Sequence, residues 1–535
     1  MPVKVSKAFL IRCGYLGIIT LDRHVRESEW SDHMHTRRNF LKAIGCAATA
    51  FALTGSRGLA QSSERKRDRP NIVFILADDL GYGDPTCYSA ESKIPTPQVD
   101  KLAAEGIRFT DAHTPTALCT PTRYGIQTGR YCWRSSLKKG VLNGYSEPLI
   151  EKDRVTVASF LKRHGYTSGC VGKWHLGLGW PVKDGGGMAK ADNIDFAKPV
   201  THGPPSLGYD YSYIIPASLD MDPYCWLENG RLVEAPTGHT PGSERRWSGG
   251  GGFWRAGAMA PSFDFYEVLP TITTKSVDFI KRQTADRPFF LYVPLTAPHT
   301  PWMPTKEFRG KTKVDWYGDF VTEVDWAMGR IVKAVDDTGF KDNTLVIFTS
   351  DNGSHWPADQ IEKFNHRANG PWRGQKSDIQ EGGHRVPFIC RWPGRIKPGS
   401  QSRQTICLTD LLATCAAIVD DPLPADAGQD SYSILPALLN PDLDKPIREA
   451  TVHHSGNGLF AIRQGPWKLI QGLGSGGFTA PAQIKPKPGG PQGQLYNLQD
   501  DPGEQKNRWA EHPEIVERLT ALLERYQQQG YSRPM

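Results

Sequence analysis

The sequence predicts an α/β fold built on a large, mostly parallel sheet flanked by helices. Three observations carry that expectation. Residues 71–77 and 344–349 are apolar, β-branched runs of a length suited to strands buried on both faces. Helical patterns alternate with such runs from about residue 69 to residue 420. Both runs stop abruptly in acidic and glycine-turn residues, Asp78-Asp79-Leu80-Gly81 and Ser350-Asp351-Asn352-Gly353. In open α/β sheets, ligand groups gather beyond the carboxyl ends of the strands.

Taken in order, the first strand (71–77) leads to a helical pattern at 99–105, and a second helix is expected at 155–164. Longer helices follow at 269–284 and 315–338, with a buried strand at 289–295 between them. Beyond about residue 450 the pattern changes to two strands, 459–463 and 467–470, and a closing helix at roughly 513–527. Residues 472–493 are rich in Gly and Pro and read as a loop.

At 535 residues the chain has room for two domains and a large core. No stretch has the length and polarity of a membrane span. The net charge is +7, but residues 1–60 carry nine Lys/Arg against four Asp/Glu, which leaves +2 on the remainder. A basic surface for nucleic acid is therefore not indicated, and no nucleic-acid-binding motif is present. Thr36-Arg37-Arg38-Asn39-Phe40-Leu41-Lys42 resembles a twin-arginine export signal, with a mildly apolar run at 43–53 and Gly58-Leu59-Ala60 as a cleavage site. Met34 is a more natural start than Met1, which makes residues 1–33 an extension of doubtful origin. Eight cysteines follow residue 60 without a C-x-x-C pair, which argues against zinc. A chain that folds before export meets a reducing compartment, so few obligatory disulfides are expected.

The stretch richest in information is Cys119-Thr120-Pro121-Thr122-Arg123, running on to Thr128-Gly129-Arg130. By itself C-x-P-x-R fits a packed cysteine beside a turn, and Asp-Gly and Asn-Gly are common turn and N-cap residues. Taken with residues 71–83, Gly172-Lys173-Trp174-His175-Leu176-Gly177, Ala297-Pro298-His299, residues 349–353, Arg373-Gly374-Gln375-Lys376 and residues 381–387, the set resembles the formylglycine-dependent sulfatases, arylsulfatase-like members of the alkaline phosphatase-like superfamily. The resemblance extends from about residue 69 to residue 525 and includes Leu495-Tyr496-Asn497-Leu498. It implies a catalytic domain at 69–420 and a smaller subdomain at 421–535, an antiparallel sheet plus a helix.

The resemblance also implies the chemistry. A maturation enzyme would oxidise Cys119 to formylglycine (3-oxoalanine), whose hydrate attacks sulfur and then releases sulfate through its second hydroxyl. Asp78, Asp79, Asp351 and Asn352, with the oxygen at position 119, would hold one Ca²⁺, a hard ion suited to an all-oxygen set. Arg123 would steady the nucleophile and the carboxylates. It lies four residues after Cys119 and shares a helix face with it. Lys173 and His175, two residues apart, would point the same way from an extended segment, the lysine contacting nucleophile and sulfate and the histidine taking the proton that triggers sulfate release. His299 and Lys376 correspond to acid or electrostatic partners at the sulfate and leaving oxygen.

Substrate choice rests on loops. Asp220 in residues 218–224, and His355, Trp356, Arg367 and Trp372 after the metal motif, suit a sugar ring and its anionic groups. The expected substrate is a sulfated carbohydrate, with aryl sulfates as artificial ones, met outside the cytoplasm after passage through the twin-arginine machinery. Two alternatives share the scaffold: a phosphodiesterase or phosphonate monoester hydrolase, and a catalytically silent glycan-binding protein. The Gly-Lys-Trp-His block and the Ala-Pro-His step favour the sulfatase.

Overall fold

The structure, a computed structural model, describes residues 69–183, 187–244 and 252–534. The export-signal reading at residues 36–60 and the alternative start at Met34 lie outside the described residues.

The alternation read from the sequence folds as a ten-stranded mixed sheet. Its strands are β1 (Asn71–Asp78), β2 (Ile107–Phe109), β3 (Thr167–Lys173), β4 (Tyr211–Ile215), β5 (Leu227–Glu228), β6 (Arg231–Leu232), β7 (Phe289–Pro298), β8 (Thr344–Ser350), β9 (Phe388–Arg391) and β10 (Ser400–Ser402). The spatial order is β10-β2-β9-β8-β1-β7-β3-β4-β5-β6. The five central strands, β8 to β4, are parallel. Antiparallel pairings flank them on both sides. Every residue of β1, β7 and β8 is buried, as expected of parallel strands covered by helices on both faces.

The helices include α1 (Pro97–Ala104), α2 (Cys119–Thr128), α3 (Val157–Arg163), α4 (Val268–Lys281) and α5 (Asp315–Asp337). Helix α4 packs with α5, and α2 packs with α3. Thr156 caps α3, its side chain accepting from the Ser159 N–H. A second sheet, fully antiparallel, runs β11 (Thr451–His454), β12 (Phe460–Gln464), β13 (Trp467–Ile470) and β14 (Gln494–Asn497). The closing helix α6 (Pro513–Gln529) lays Leu519, Leu522, Leu523 and Tyr526 against it.

The predicted elements recur within a few residues of their expected ends. The outer strands β2, β5, β6, β9 and β10 were not foreseen. Each has two to four residues, too short for a period to register.

Candidate functional site

Parallel strands deliver their carboxyl ends to one edge, and here that edge is loaded with charge. Neighbouring strands β8, β1, β7 and β3 run into Asp351-Asn352, Asp78-Asp79, His299 and Lys173 respectively. Strand β4 leads to Ser218 and Asp220. The two acidic turns are tied together by their own backbone. The Asp351 N–H donates to the Ala77 carbonyl (3.1 Å), the Leu80 N–H to Ser350 Oγ (2.9 Å) and the Asp79 N–H to Asp351 Oδ1 (3.2 Å). Asp79 has φ 65°, a left-handed conformation costing about 1 kcal/mol. The turn is also pressed against its neighbour: a Cβ on Gly81 would fall 2.1 Å from the Ala368 carbonyl oxygen, so only glycine fits.

Three buried carboxylates face three buried cations. Arg123 Nε and Nη2 donate to Asp351 Oδ2 (2.9 and 2.7 Å), and Nη1 donates to the Lys173 carbonyl (2.9 Å). Lys173 Nζ donates to Asp78 Oδ2 (2.6 Å) and Ser218 Oγ (3.1 Å). Lys376 Nζ donates to Asp79 Oδ2 (2.8 Å), and Asn352 Nδ2 donates to Asp79 Oδ1 (2.6 Å). Burial pushes the Asp78 and Asp79 carboxyls up. The combined positive charge outweighs it, with Lys173, His299 and Arg123 acting on Asp78 and Lys376 and His299 on Asp79, so both stay below the usual range. Asp351 moves the other way, raised by burial and by the charge of Asp78.

Two acceptor atoms in this cluster, Asp78 Oδ1 and Asn352 Oδ1, are buried with no hydrogen-bond donor. An unsatisfied buried acceptor costs about 1–3 kcal/mol. A hard cation is the partner such oxygens fit, so the donor set matches the oxygen-ligated ion expected from the sequence.

Cys119 is the first residue of α2, whose N-cap, Leu118, gives no side-chain cap. The helix dipole therefore favours negative charge at this position. Burial raises the Cys119 thiol above its ordinary value despite Lys173 and Lys376, so an unmodified side chain would be a protonated, weak nucleophile. Arg123, one turn along, is fully buried on the same helix.

His175 lies near Lys173, although not by the expected route. Strand β3 ends at Lys173 and His175 has φ 54°, so the segment is not extended and a two-residue alternation does not explain the proximity. The Leu142 carbonyl holds Nε2 (2.8 Å), which fixes the proton there. Nδ1 is left as a buried lone pair without a donor. Burial, then Lys173, holds this imidazole well below its ordinary value and therefore neutral. His299 Nε2 lies 3.8 Å from Asp79 Oδ2, and Nδ1 donates to the Thr300 carbonyl.

The loops expected to contact substrate divide. Asp220 is buried and paired with Arg255, with Oδ1 unpartnered, and it lies in the field of His299 and Lys173. His355 is half-buried against Phe478. Arg367 is exposed, its carbonyl accepting from the Gly370 N–H. Trp356 is a core residue instead of a sugar platform: it is stacked on Tyr317 at 4.5 Å, and its Nε1 donates to the His366 carbonyl. Trp372 packs edge-on to Tyr82 under the Arg385 guanidinium.

Sequence reasoning passed over Ser218, the second partner of Lys173, and Asp84, which braces the turn at Asp79–Gly81. Asp84 accepts from the Gly81 N–H (2.7 Å), Tyr317 Oη (2.6 Å) and His366 Nε2 (2.8 Å). Ser218 sits two residues before the Asp220 that was singled out. Asp84 carried no signal beyond a second acidic residue after the turn.

A second cluster, His113, His384 and His453, has ring nitrogens close enough to suggest a metal. Its hydrogen bonds argue otherwise. Lys468 Nζ donates to His384 Nε2 (3.0 Å), His384 Nδ1 to His113 Nδ1 (3.1 Å), and His113 Nε2 meets both Asp111 Oδ1 (2.9 Å) and Arg463 Nη1 (3.0 Å). His453 Nδ1 donates to the Thr114 carbonyl, which leaves Nε2 as the one spare lone pair. The chain is satisfied by neutral imidazoles and runs from Lys468 and His453 of the small sheet to Asp111, just beyond β2. Glu381, Glu504, Arg385 and Arg463 complete its charged surroundings.

Burial lowers His113 to about 4, so the native state resists protons that the unfolded chain takes up near pH 6.5. The stabilisation is full above pH 6.5 and is lost as pH falls towards 4. Glu323 and Asp325, raised by burial to about 7, act in the opposite sense. The measurement is therefore a difference. The advantage of wild type over His113→Gln in urea unfolding is expected to shrink by about 2.5 kcal/mol between pH 7 and pH 4.5. An unchanged advantage would contradict the neutral chain.

A mixed sheet with this order, an edge of carboxylates and cations and a helix starting at the buried cysteine defines an alkaline phosphatase-like hydrolase. The chain belongs to the sulfatase family: the family model described as Sulfatase matches residues 70–420. It is therefore a sulfuric ester hydrolase. It is 36% identical over 511 residues to an N-acetylgalactosamine-6-O-sulfatase of Bacteroides thetaiotaomicron, covering 88% of this chain and 96% of the relative. It is 33% identical to human arylsulfatase A, covering 85% and 87%. A solved structure described under the metabolism of multiple glycosaminoglycans by Bacteroides thetaiotaomicron superposes with TM-score 0.75 at 34% identity, covering 86% of this chain and all of the other.

Proposed function

We propose that the protein is an exported sulfatase that removes sulfate monoesters from a sulfated glycan, using formylglycine at position 119 and Ca²⁺. The observation that carries this reading is the pair of orphaned oxygens, Asp78 Oδ1 and Asn352 Oδ1, in the cluster whose charges act on Cys119. Asp78, Asp79, Asp351 and Asn352 would hold the ion, which when bound supplies positive charge to the sulfate oxygens. Oxidation of Cys119 by a maturation enzyme would replace a protonated thiol with a hydrated aldehyde able to attack sulfur.

The remaining work falls to the chain's own side chains. Lys173 and Lys376, each already on a carboxylate, stand ready to share their protons with sulfate oxygens. His175 Nδ1 offers the base that accepts a proton as sulfate leaves. His299 Nε2, nearer the surface, is placed to serve the leaving oxygen. Arg123 fixes Asp351 and the start of α2 relative to each other. The domain division at residue 420, the export signal and the roles of Asp220, His355 and Arg367 in substrate binding belong to this same proposal.

The test is sulfate release by the purified protein from 6-O-sulfated N-acetylgalactosamine, the sugar named for its relative, alongside 4-nitrophenyl sulfate and a phosphodiester. Cleavage of the phosphodiester in preference to both sulfates overturns the reading. Asp220→Ala is expected to lower kcat/KM for the sulfated sugar about tenfold more than for the aryl sulfate. Equal losses remove Asp220 from the specificity set.

A further inference from the structure

We infer that Phe478, held by His355, forms an aromatic wall at the mouth of the catalytic site on which the sulfated sugar ring lies. This rests on the glycan reading above and names a residue that reading does not contain.

Phe478 is 53% exposed and is the one aromatic ring among the exposed large apolar side chains of the described residues. A single exposed apolar residue is ordinary, but the loop beneath this one is built. The Thr479 N–H donates to Asp378 Oδ1 (3.0 Å) and its hydroxyl to Asp378 Oδ2 (2.5 Å). Gln375 Nε2 donates to Thr479 Oγ1 (3.2 Å), and the Ile379 N–H to the Ser475 carbonyl (2.8 Å). Asp378 itself is fully buried. Gly477 lies so close to this segment that a Cβ would come within 2.3 Å of the Ser377 carbonyl group, so no other residue allows the approach.

The segment gripped in this way, residues 375–379, contains Lys376, whose Nζ is on Asp79. The other side of the wall reaches the same lysine. The Lys376 N–H donates to the Ser354 carbonyl (3.1 Å), which places His355 next to it, and the His355 and Phe478 rings lie 4.9 Å apart at 49°. Both rings thus sit on segments that touch the backbone at residues 376–377, and Phe478 keeps about half of its surface in solvent.

A pyranose carrying its sulfate on an exocyclic carbon must leave the ring outside the buried pocket when sulfur sits against Cys119. The ring then needs an apolar surface at the rim. Sugars of galacto configuration present an unbroken C–H face opposite the axial hydroxyl, and an aromatic face matches it.

Steady-state kinetics on 6-O-sulfated N-acetylgalactosamine test the wall. Phe478→Ala is expected to raise KM about tenfold with little change in kcat, and Phe478→Leu to behave like it, because bulk without a flat face does not stack. Phe478→Trp should keep the wild-type KM. Thermal melts of all three variants establish that the loop still folds. A wild type that turns the sugar over while Phe478→Ala matches its KM overturns the wall alone. A wild type that leaves every sulfated sugar intact but cleaves aryl sulfates overturns the glycan reading, and the wall with it.

Discussion

Cys119→Ala is expected to abolish sulfate release, lowering kcat/KM by about 10⁴-fold or more, while the protein stays folded. The two halves of that expectation have separate causes. Catalysis is lost because no neighbouring group can replace the side chain. Lys173 and Lys376 are occupied by carboxylates, and His175 is a neutral base whose Nε2 is held by the Leu142 carbonyl and whose Nδ1 hydrogen-bonds no hydroxyl. The fold is kept because position 119 begins a helix, where alanine is the best-tolerated residue. Only a sulfur atom's worth of core packing is removed, about 1 kcal/mol. Retention of more than a few per cent of the activity would dismiss covalent catalysis through this residue. Mass spectrometry of the wild-type peptide containing position 119 supplies the companion result. It should show the mass of the aldehyde or its hydrate, since burial keeps the thiol protonated and a working enzyme with that thiol intact has no adequate nucleophile.

The sequence disclosed the parts of the site that lie at strand ends. The runs 71–77 and 344–349 are apolar enough to announce buried strands, and their acidic stops mark the edge where β1 and β8 deliver Asp78, Asp79, Asp351 and Asn352. His299 and Lys173 end β7 and β3 in the same way. Contacts made across the chain were not legible. Nothing near Lys173 in the sequence points to Ser218, forty-five residues away. The backbone at His175 enters the left-handed region, which no spacing rule anticipates for a non-glycine residue. Trp356 misled for a physical reason: composition cannot tell an indole that faces solvent from one stacked in the core, and Trp356 is 2% exposed. The residue that does present a ring to solvent, Phe478, lies in the Gly/Pro-rich segment that had no pattern to read.

Exhaustive removal of divalent metal is expected to cut turnover at least about 100-fold and to lower the melting temperature without unfolding the protein. The argument is one of charge and unmet hydrogen-bonding capacity. Asp78, Asp79 and Asp351 are balanced by Lys173, Lys376 and Arg123, so the metal-free site carries no large net charge and has no electrostatic reason to open. It does bury Asp78 Oδ1, with only Arg123 Nη2 at 3.6 Å, and Asn352 Oδ1 without hydrogen-bond donors, a penalty of up to about 2–6 kcal/mol for the two that a bound cation would relieve. Stability should therefore rise on adding Ca²⁺ to the stripped protein, and rise more than with Mg²⁺, whose strict octahedral shell is harder to satisfy with carboxylates already committed to lysines. Asn352→Ala removes one of the two orphaned oxygens and should reduce the Ca²⁺-dependent gain in melting temperature by about half. A stripped protein that melts at the same temperature with and without Ca²⁺, and turns over at an unchanged rate, would mean that these oxygens are not ligands.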